Sequence, residues 1–328
     1  MEDPNRAHHR SDRLPARRRF DEVECTISHL LRFPHPALGG RRYGEALLQG
    51  IAARGIGPGQ RGVVEIGGGA GHIAEAAWRG DAGPFTRTRW TALDLSPALI
   101  DAQRTRVLGR QDETAARGSG GGRRAAAEPP LPAGPHRSWR GLHADALELP
   151  FRSRSLDGLV LANEVIADLP VENGRNAGAI RLVQELSRVL APGGAAVLTE
   201  FGGDFDPGPV RLVGGFGRGE HVEWSIDFRQ LRAAAAESGL AAEELPLHAL
   251  IGADLAVRCA SYTDLWRLRR LASCEVFAAP EAEVRRRFPL LSRLLALELP
   301  PLGSPHWPDA TAPAGFAQLF RALILRRA

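Results

Sequence analysis

The chain has 328 residues, 44% apolar and 24% charged, the profile of a globular protein rather than a fibrous or disordered one, with room for one large domain or two modest ones. All 42 basic residues are arginine, which excludes Schiff-base, P-loop and lysine-base chemistry. A formal charge of +4 makes neither a nucleic-acid stripe nor a membrane patch. Cys25, Cys259 and Cys274 are odd in number and far apart, so no disulfide framework and no metal site is expected, and a reducing compartment is. No run of 18 apolar residues offers a membrane span, and no apolar segment follows the arginine-rich start as in a secretory leader. A cytoplasmic location is the expectation.

Residues 1–19 carry six arginines and read as a disordered, solvated tail. In residues 20–61, Ile27, Leu30 and Leu31, then Tyr43, Ala46, Leu47, Leu48 and Ile51, recur at helical spacing around the breaker Phe33-Pro34-His35-Pro36, which predicts a helical N-terminal cap. A core is predicted over 62–205. It opens with strand Val63-Val64-Glu65-Ile66, a glycine cluster and a helix over 72–78, followed by a strand over 90–95 and a helix from Ser96-Pro97 to about Leu108. Residues 109–138 shift to Gly, Ala, Arg and Pro and read as a disordered insertion. A short strand over 141–145, a fully apolar strand over 159–162, a helix over 181–190 ended by Ala191-Pro192-Gly193-Gly194, and a strand over 195–200 complete the alternation. In the C-terminal part, 206–328, a helix over 227–238 stops at Gly239. A strand is predicted over 244–251, a helical, substrate-covering insertion over about 253–300, and a closing strand over 320–325. Strands alternating with helices predict an α/β, doubly wound, Rossmann-like sheet.

The chemical signal is Glu65-x-Gly67-x-Gly69-x-Gly71 between a strand and a helix. Glycines there let the backbone approach a ligand, and the helix N-terminus offers free N–H groups. Asp94 ends the next strand 23 residues after Gly71, where a carboxylate can accept from both ribose hydroxyls. Asp145 ends the third strand, where it can accept from an adenine amino group. The spacing differs from the Gly-x-Gly-x-x-Gly of nicotinamide sites, and Glu65 would attract an ammonium or sulfonium centre and repel a pyrophosphate. The inferred ligand is S-adenosylmethionine, and a dinucleotide oxidoreductase is disfavoured.

The sequence resembles the class I S-adenosylmethionine-dependent methyltransferases at 63–71, at Ala92-Leu93-Asp94-Leu95-Ser96-Pro97, at Ala144-Asp145-Ala146 before Leu149-Pro150-Phe151, and at 186–194. The resemblance implies that Glu65, Gly67, Gly69 and Gly71 cradle the methionine end, that Asp94 and Leu95 hold the ribose, and that Asp145 and Ala146 border the adenine, with Asn163 also on the cofactor. It implies a seven-stranded sheet with the last strand antiparallel, and S-adenosylhomocysteine as product. More narrowly, Leu161-Ala162-Asn163-Glu164-Val165-Ile166-Ala167-Asp168-Leu169-Pro170-Val171 is similar to the strand-four segment of the MidA-like family, which includes the mitochondrial complex I assembly arginine methyltransferase.

Methyl transfer needs an in-line nucleophile, sometimes with a base. Glu164 and Asp168, four apart and on one face if the segment is helical, are the candidate catalytic pair, able to grip a guanidinium or deprotonate a hydroxyl. His221, Glu223 and Asp227, with Tyr262 and Trp266, are weaker substrate-binding candidates, Asp227 being favoured as a helix N-cap. The expected function is methyl transfer to an oxygen or nitrogen of a small molecule, in specialised metabolism. A protein arginine methyltransferase and a cofactor-binding assembly factor are the alternatives. Neither nucleic acid nor membrane is an expected partner; a homodimer stays open.

Overall fold

The computed structural model describes residues 38–86, 88–108, 138–211, 222–253 and 320–327. In chain order the elements are α1 (Tyr43–Ala53), β1 (Val63–Ile66), α2 (His72–Arg79), β2 (Arg89–Asp94), α3 (Pro97–Leu108), β3 (Ser138–His143), β4 (Leu159–Asn163), α4 (Ala177–Val189), β5 (Ala195–Gly203), β6 (Pro209–Arg211), β7 (Val222–Trp224), β8 (Ile226–Asp227), α5 (Phe228–Glu237), β9 (Ala241–Pro246), α6 (Leu247–Ile251) and β10 (Phe320–Arg326). Short 3-10 turns lie at Gly83–Phe85 and Ile166–Asp168.

The main sheet runs β3-β2-β1-β4-β5-β10-β9, with β8 pairing to β5 as an eighth strand, and β6-β7 form a separate hairpin. Strands β1 to β5 are parallel neighbours, and β10 is antiparallel to both β5 and β9. Parallel strands are covered on both faces, and alternation along each strand sends residues to two cores. Val63, Leu159, Leu161, Val197, Ala322 and Ile324 pack with Leu47, Leu48 and Ile51 of α1 and Leu250 of α6. Val64, Ile66, Val160, Ala162, Leu198, Leu323 and Leu325 pack with Leu182 and Leu186 of α4 and Leu231 of α5. Each fully buried aliphatic side chain contributes about 1.5–3 kcal/mol, so the central strands are the most firmly held part of the fold. From β1 the chain steps outward to β2 and β3, then returns to β4 on the other side. This reversal opens a crevice at the C-terminal ends of β1 and β4, where ligands of such sheets bind.

Several expectations need correction. The strand read over 244–251 is two elements: β9 ends at Pro246 and α6 follows, its Leu247, Leu250 and Ile251 buried at helical spacing. Strand β3 begins at Ser138, inside the segment read as insertion, and ends at His143, so Asp145 stands in the following turn rather than in the strand. Helix α4 starts four residues before the predicted 181. The expected sheet itself is present: seven strands form the main path and β10, last in the chain, is the antiparallel one, placed between β5 and β9, with the two-residue β8 added beside β5. The tail 1–19, nearly all of the insertions at 109–138 and 253–300, and the candidates His221, Tyr262 and Trp266 lie outside the described residues.

Candidate functional site

The turn after β1 is built by conformation that only glycine adopts freely. Gly67, Gly69 and Gly71 have φ of 61°, 50° and 80°. A Cβ on Gly67 would lie 2.6 Å from Val165 Cγ2, and one on Gly68 would lie 2.6 Å from the Glu65 carboxyl carbon. The turn therefore rests on the loop after β4 on one side and on Glu65 beneath. Gly71 caps α2 in the left-handed conformation, and the Gly67 N–H donates to Leu93 O at 2.8 Å, tying the turn to β2.

Glu65 is buried below this turn, and its Oε2 accepts from Trp90 Nε1 at 2.8 Å. Burial, with a smaller contribution from the negative charge of Asp94, raises its pKa from 4.5 to about 8 against the Trp90 hydrogen bond. The group is thus mostly a neutral acid at pH 7. Asp94 closes β2, buried, and accepts from Ser96 N at 2.9 Å, holding its carboxylate at the mouth of the strand. Leu95 follows, its carbonyl 3.0 Å from His143 Nε2. Asp145 accepts from Leu147 N at 2.9 Å, and Ala146 is buried beside it. The Ala144 N–H donates to Asp94 O at 3.1 Å, joining the two acidic loops along one sheet edge.

Asn163 closes β4. Its Oδ1 accepts from Tyr43 Oη at 2.6 Å and from Thr199 Oγ1 at 2.8 Å. Glu164 comes next with φ of 50°, a left-handed conformation that costs a non-glycine residue about 1 kcal/mol or more. Its N–H is bound to Thr199 O at 2.9 Å. Helical geometry starts only at Ile166, so Glu164 and Asp168 do not share the face of one helix. Glu200, buried on β5, accepts from Ala167 N at 3.2 Å and Phe201 N at 3.0 Å, which anchors the short turn carrying Asp168.

The structure thus gathers Glu65, Gly67, Gly69, Gly71, Asp94, Leu95, Asp145, Ala146, Asn163 and Glu164 along the C-terminal edge of β1, β2, β3 and β4. Asp227 lies apart: it caps α5, accepting from Arg229 N at 3.0 Å and pairing with the Arg229 guanidinium at 2.9 Å. Glu223 sits in the β6-β7 hairpin opposite Val210. Tyr43, Thr199 and Glu200 carried no motif: Tyr43 counted only as part of the helical apolar spacing, and Thr199 and Glu200 were polar residues in the otherwise apolar run 195–203. Among the described residues no group of His, Cys, Asp and Glu could hold a metal ion, and no helix is long and apolar enough to cross a membrane.

The donor set fits an adenosyl sulfonium cofactor. Carboxylates at the end of β2 and in the turn after β3 would suit ribose hydroxyls and an adenine amino group, the glycine turn would admit close approach, and a buried acid lies beneath that turn.

Residues 64–198 match the family described as Methyltransferase domain. No curated protein matches the chain. Among solved structures, a Galdieria sulphuraria protein described provisionally as a sarcosine dimethylglycine methyltransferase is 16% identical, with a TM-score of 0.43 over 88% of this chain and 86% of that one. The geranyl diphosphate C-methyltransferase of Streptomyces coelicolor A3(2) is 13% identical, with a TM-score of 0.41 over 83% and 72%. An S-adenosylmethionine-dependent methyltransferase of Mesorhizobium loti is 16% identical, with a TM-score of 0.36 over 81% and 90%. Likeness at this level reaches no substrate.

Proposed function

We propose that the protein is a class I, S-adenosylmethionine-dependent methyltransferase, a reading supported by the match of residues 64–198 to a methyltransferase domain family, and that it transfers a methyl group to an oxygen or nitrogen of a small molecule. The observation that carries the reading is the single edge on which the left-handed glycine turn, Asp94 and the Asp145 loop stand together. The cofactor, when bound, supplies a sulfonium-borne methyl group as electrophile. The chain's own residues then bind and orient. Asp94 and Asp145 accept hydrogen bonds from the adenosine end, Gly67 to Gly71 let the backbone follow the chain of the cofactor, and Glu65 ionises in the field of its cationic groups. Glu164 and Asp168, just beyond β4, are the candidate acceptor-facing acids. Of the two, Glu164 has the better support, because a left-handed non-glycine residue at a ligand edge is retained only where the surroundings hold it.

Calorimetric titration with S-adenosylmethionine tests this reading. The wild-type chain should bind. Asp94→Ala removes charged hydrogen bonds worth about 1.5–3 kcal/mol each and should weaken binding by about tenfold or more. Absence of binding by the wild type, or equal binding by Asp94→Ala, sinks the proposal.

A further inference from the structure

We propose that Tyr43, together with Thr199, is a positioning residue that fixes the side-chain amide of Asn163 as a hydrogen-bond donor to the carboxylate at the methionine end of the cofactor. This rests on the reading of the site given under Proposed function.

Asn163 stands where that end of the ligand must lie. It follows Ala162, the register partner of Ile66, and Val165 packs on Gly67 closely enough to leave no room for a Cβ there. Two hydroxyls converge on one atom of its side chain, Tyr43 Oη at 2.6 Å and Thr199 Oγ1 at 2.8 Å. An amide could in principle be turned end for end, but O–H···O bonds centre on about 2.7–2.8 Å and N–H···O bonds on about 2.9–3.0 Å. The 2.6 Å contact with Tyr43 lies below the N–H···O range and so places oxygen, not nitrogen, on the hydroxyls. Tyr43 and Thr199 are fully buried, so the oxygen faces the protein. A carbonyl oxygen accepts two hydrogen bonds, and both are taken. What Asn163 has left is its NH2 group, two donors on a side chain that is only half buried.

The neighbouring side chains give that donor its meaning. Glu65 lies beneath the glycine turn, Asp94 closes β2 and Glu164 directly follows Asn163 at this sheet edge. They suit a sulfonium, an ammonium or hydroxyl groups, and the carboxylates of Asp94 and Glu164 oppose a ligand carboxylate. A ligand with a zwitterionic amino-acid end needs a donor there as well, and a polarised Asn163 supplies one. The same polarity removes the Asn163 oxygen as a holder for an amine acceptor. The hydroxyl that sets it comes from α1, 120 residues earlier in the chain, so the N-terminal cap helix takes part in the site without touching the ligand.

The test titrates the full chain, as wild type, Asn163→Asp and Tyr43→Phe, with S-adenosylmethionine and with its decarboxylated form, which keeps the sulfonium and ammonium and lacks the carboxylate. The wild type should prefer the carboxylate-bearing ligand. In Asn163→Asp that preference should fall by at least about tenfold, because like charges oppose each other. In Tyr43→Phe, which keeps the ring and frees the amide to turn, it should fall by about three- to tenfold, the loss of one hydrogen bond, with affinity for the decarboxylated form unchanged. A merely structural role would weaken both ligands alike in both variants and would overturn the proposal, as would a preference that stays at the wild-type value. A wild type that binds neither ligand overturns the cofactor reading itself and this inference with it.

Discussion

Glu65 is held as a neutral acid by its burial under the glycine turn, with its pKa raised to about 8. In the unfolded chain the group ionises near 4.5, so between those values the native state carries a proton that the unfolded state lacks. Stability contributed by this group is therefore present at low pH, falls as pH rises from about 4.5 to about 8, and is flat above. Glu65→Gln keeps the acceptor for Trp90 and cannot ionise. In denaturant titrations at pH 5, 7 and 9 it should gain on the wild type across that window, whereas a constant difference would show that Glu65 does not titrate there. Glu164 gives a second outcome at this scale. Glycine adopts φ of 50° without strain, so Glu164→Gly should raise the unfolding free energy by up to about 1 kcal/mol while methyl transfer falls by at least tenfold. A variant that is more stable and fully active removes Glu164 from the catalytic role. Glu65, Asp94 and the glycines were legible in the sequence because spacing places them at strand ends. Tyr43 and Thr199 were not, because their meeting on Asn163 depends on tertiary packing across 120 residues.

At the level of elements, local rules served where the chain's own geometry decides. Pro97 opens α3, with Ser96 Oγ accepting from Leu99 N at 3.3 Å. Asp227 caps α5 as its position ahead of Phe228 suggested. That cap yields a direct measurement. Asp227→Ala should cost about 1–2 kcal/mol of unfolding free energy, and rather more where the Arg229 pair is lost with it, while cofactor affinity stays within twofold. A large loss of affinity would move Asp227 into the site. Sequence reasoning failed at 244–251, a short run in which Pro246 ends β9 and α6 begins at Leu247. Period alone does not separate short strands from short helices in such a run. It also placed Glu164 and Asp168 on a common helical face, which the left-handed Glu164 breaks.

At the scale of the whole molecule, the strand-helix alternation predicts parallel pairing and hence the crevice at the ends of β1 and β4. The position of β10 between β5 and β9 does not follow from its own pattern, since an apolar strand fits either the middle or the edge of a buried sheet. The arginine-only basic set leaves 63–71 without a positive charge, and acids instead dominate the candidate site. The central claim is that this acid-rich edge holds S-adenosylmethionine. A crystal structure of the full chain grown with S-adenosylhomocysteine measures it most directly. The account expects the ribose hydroxyls on Asp94, the adenine beside Asp145 and Ala146, and the amino-acid end over Gly67 to Gly71 beside Asn163. A product molecule bound away from the β1–β4 edge, or lying there with Asp94 facing no hydroxyl, would contradict it.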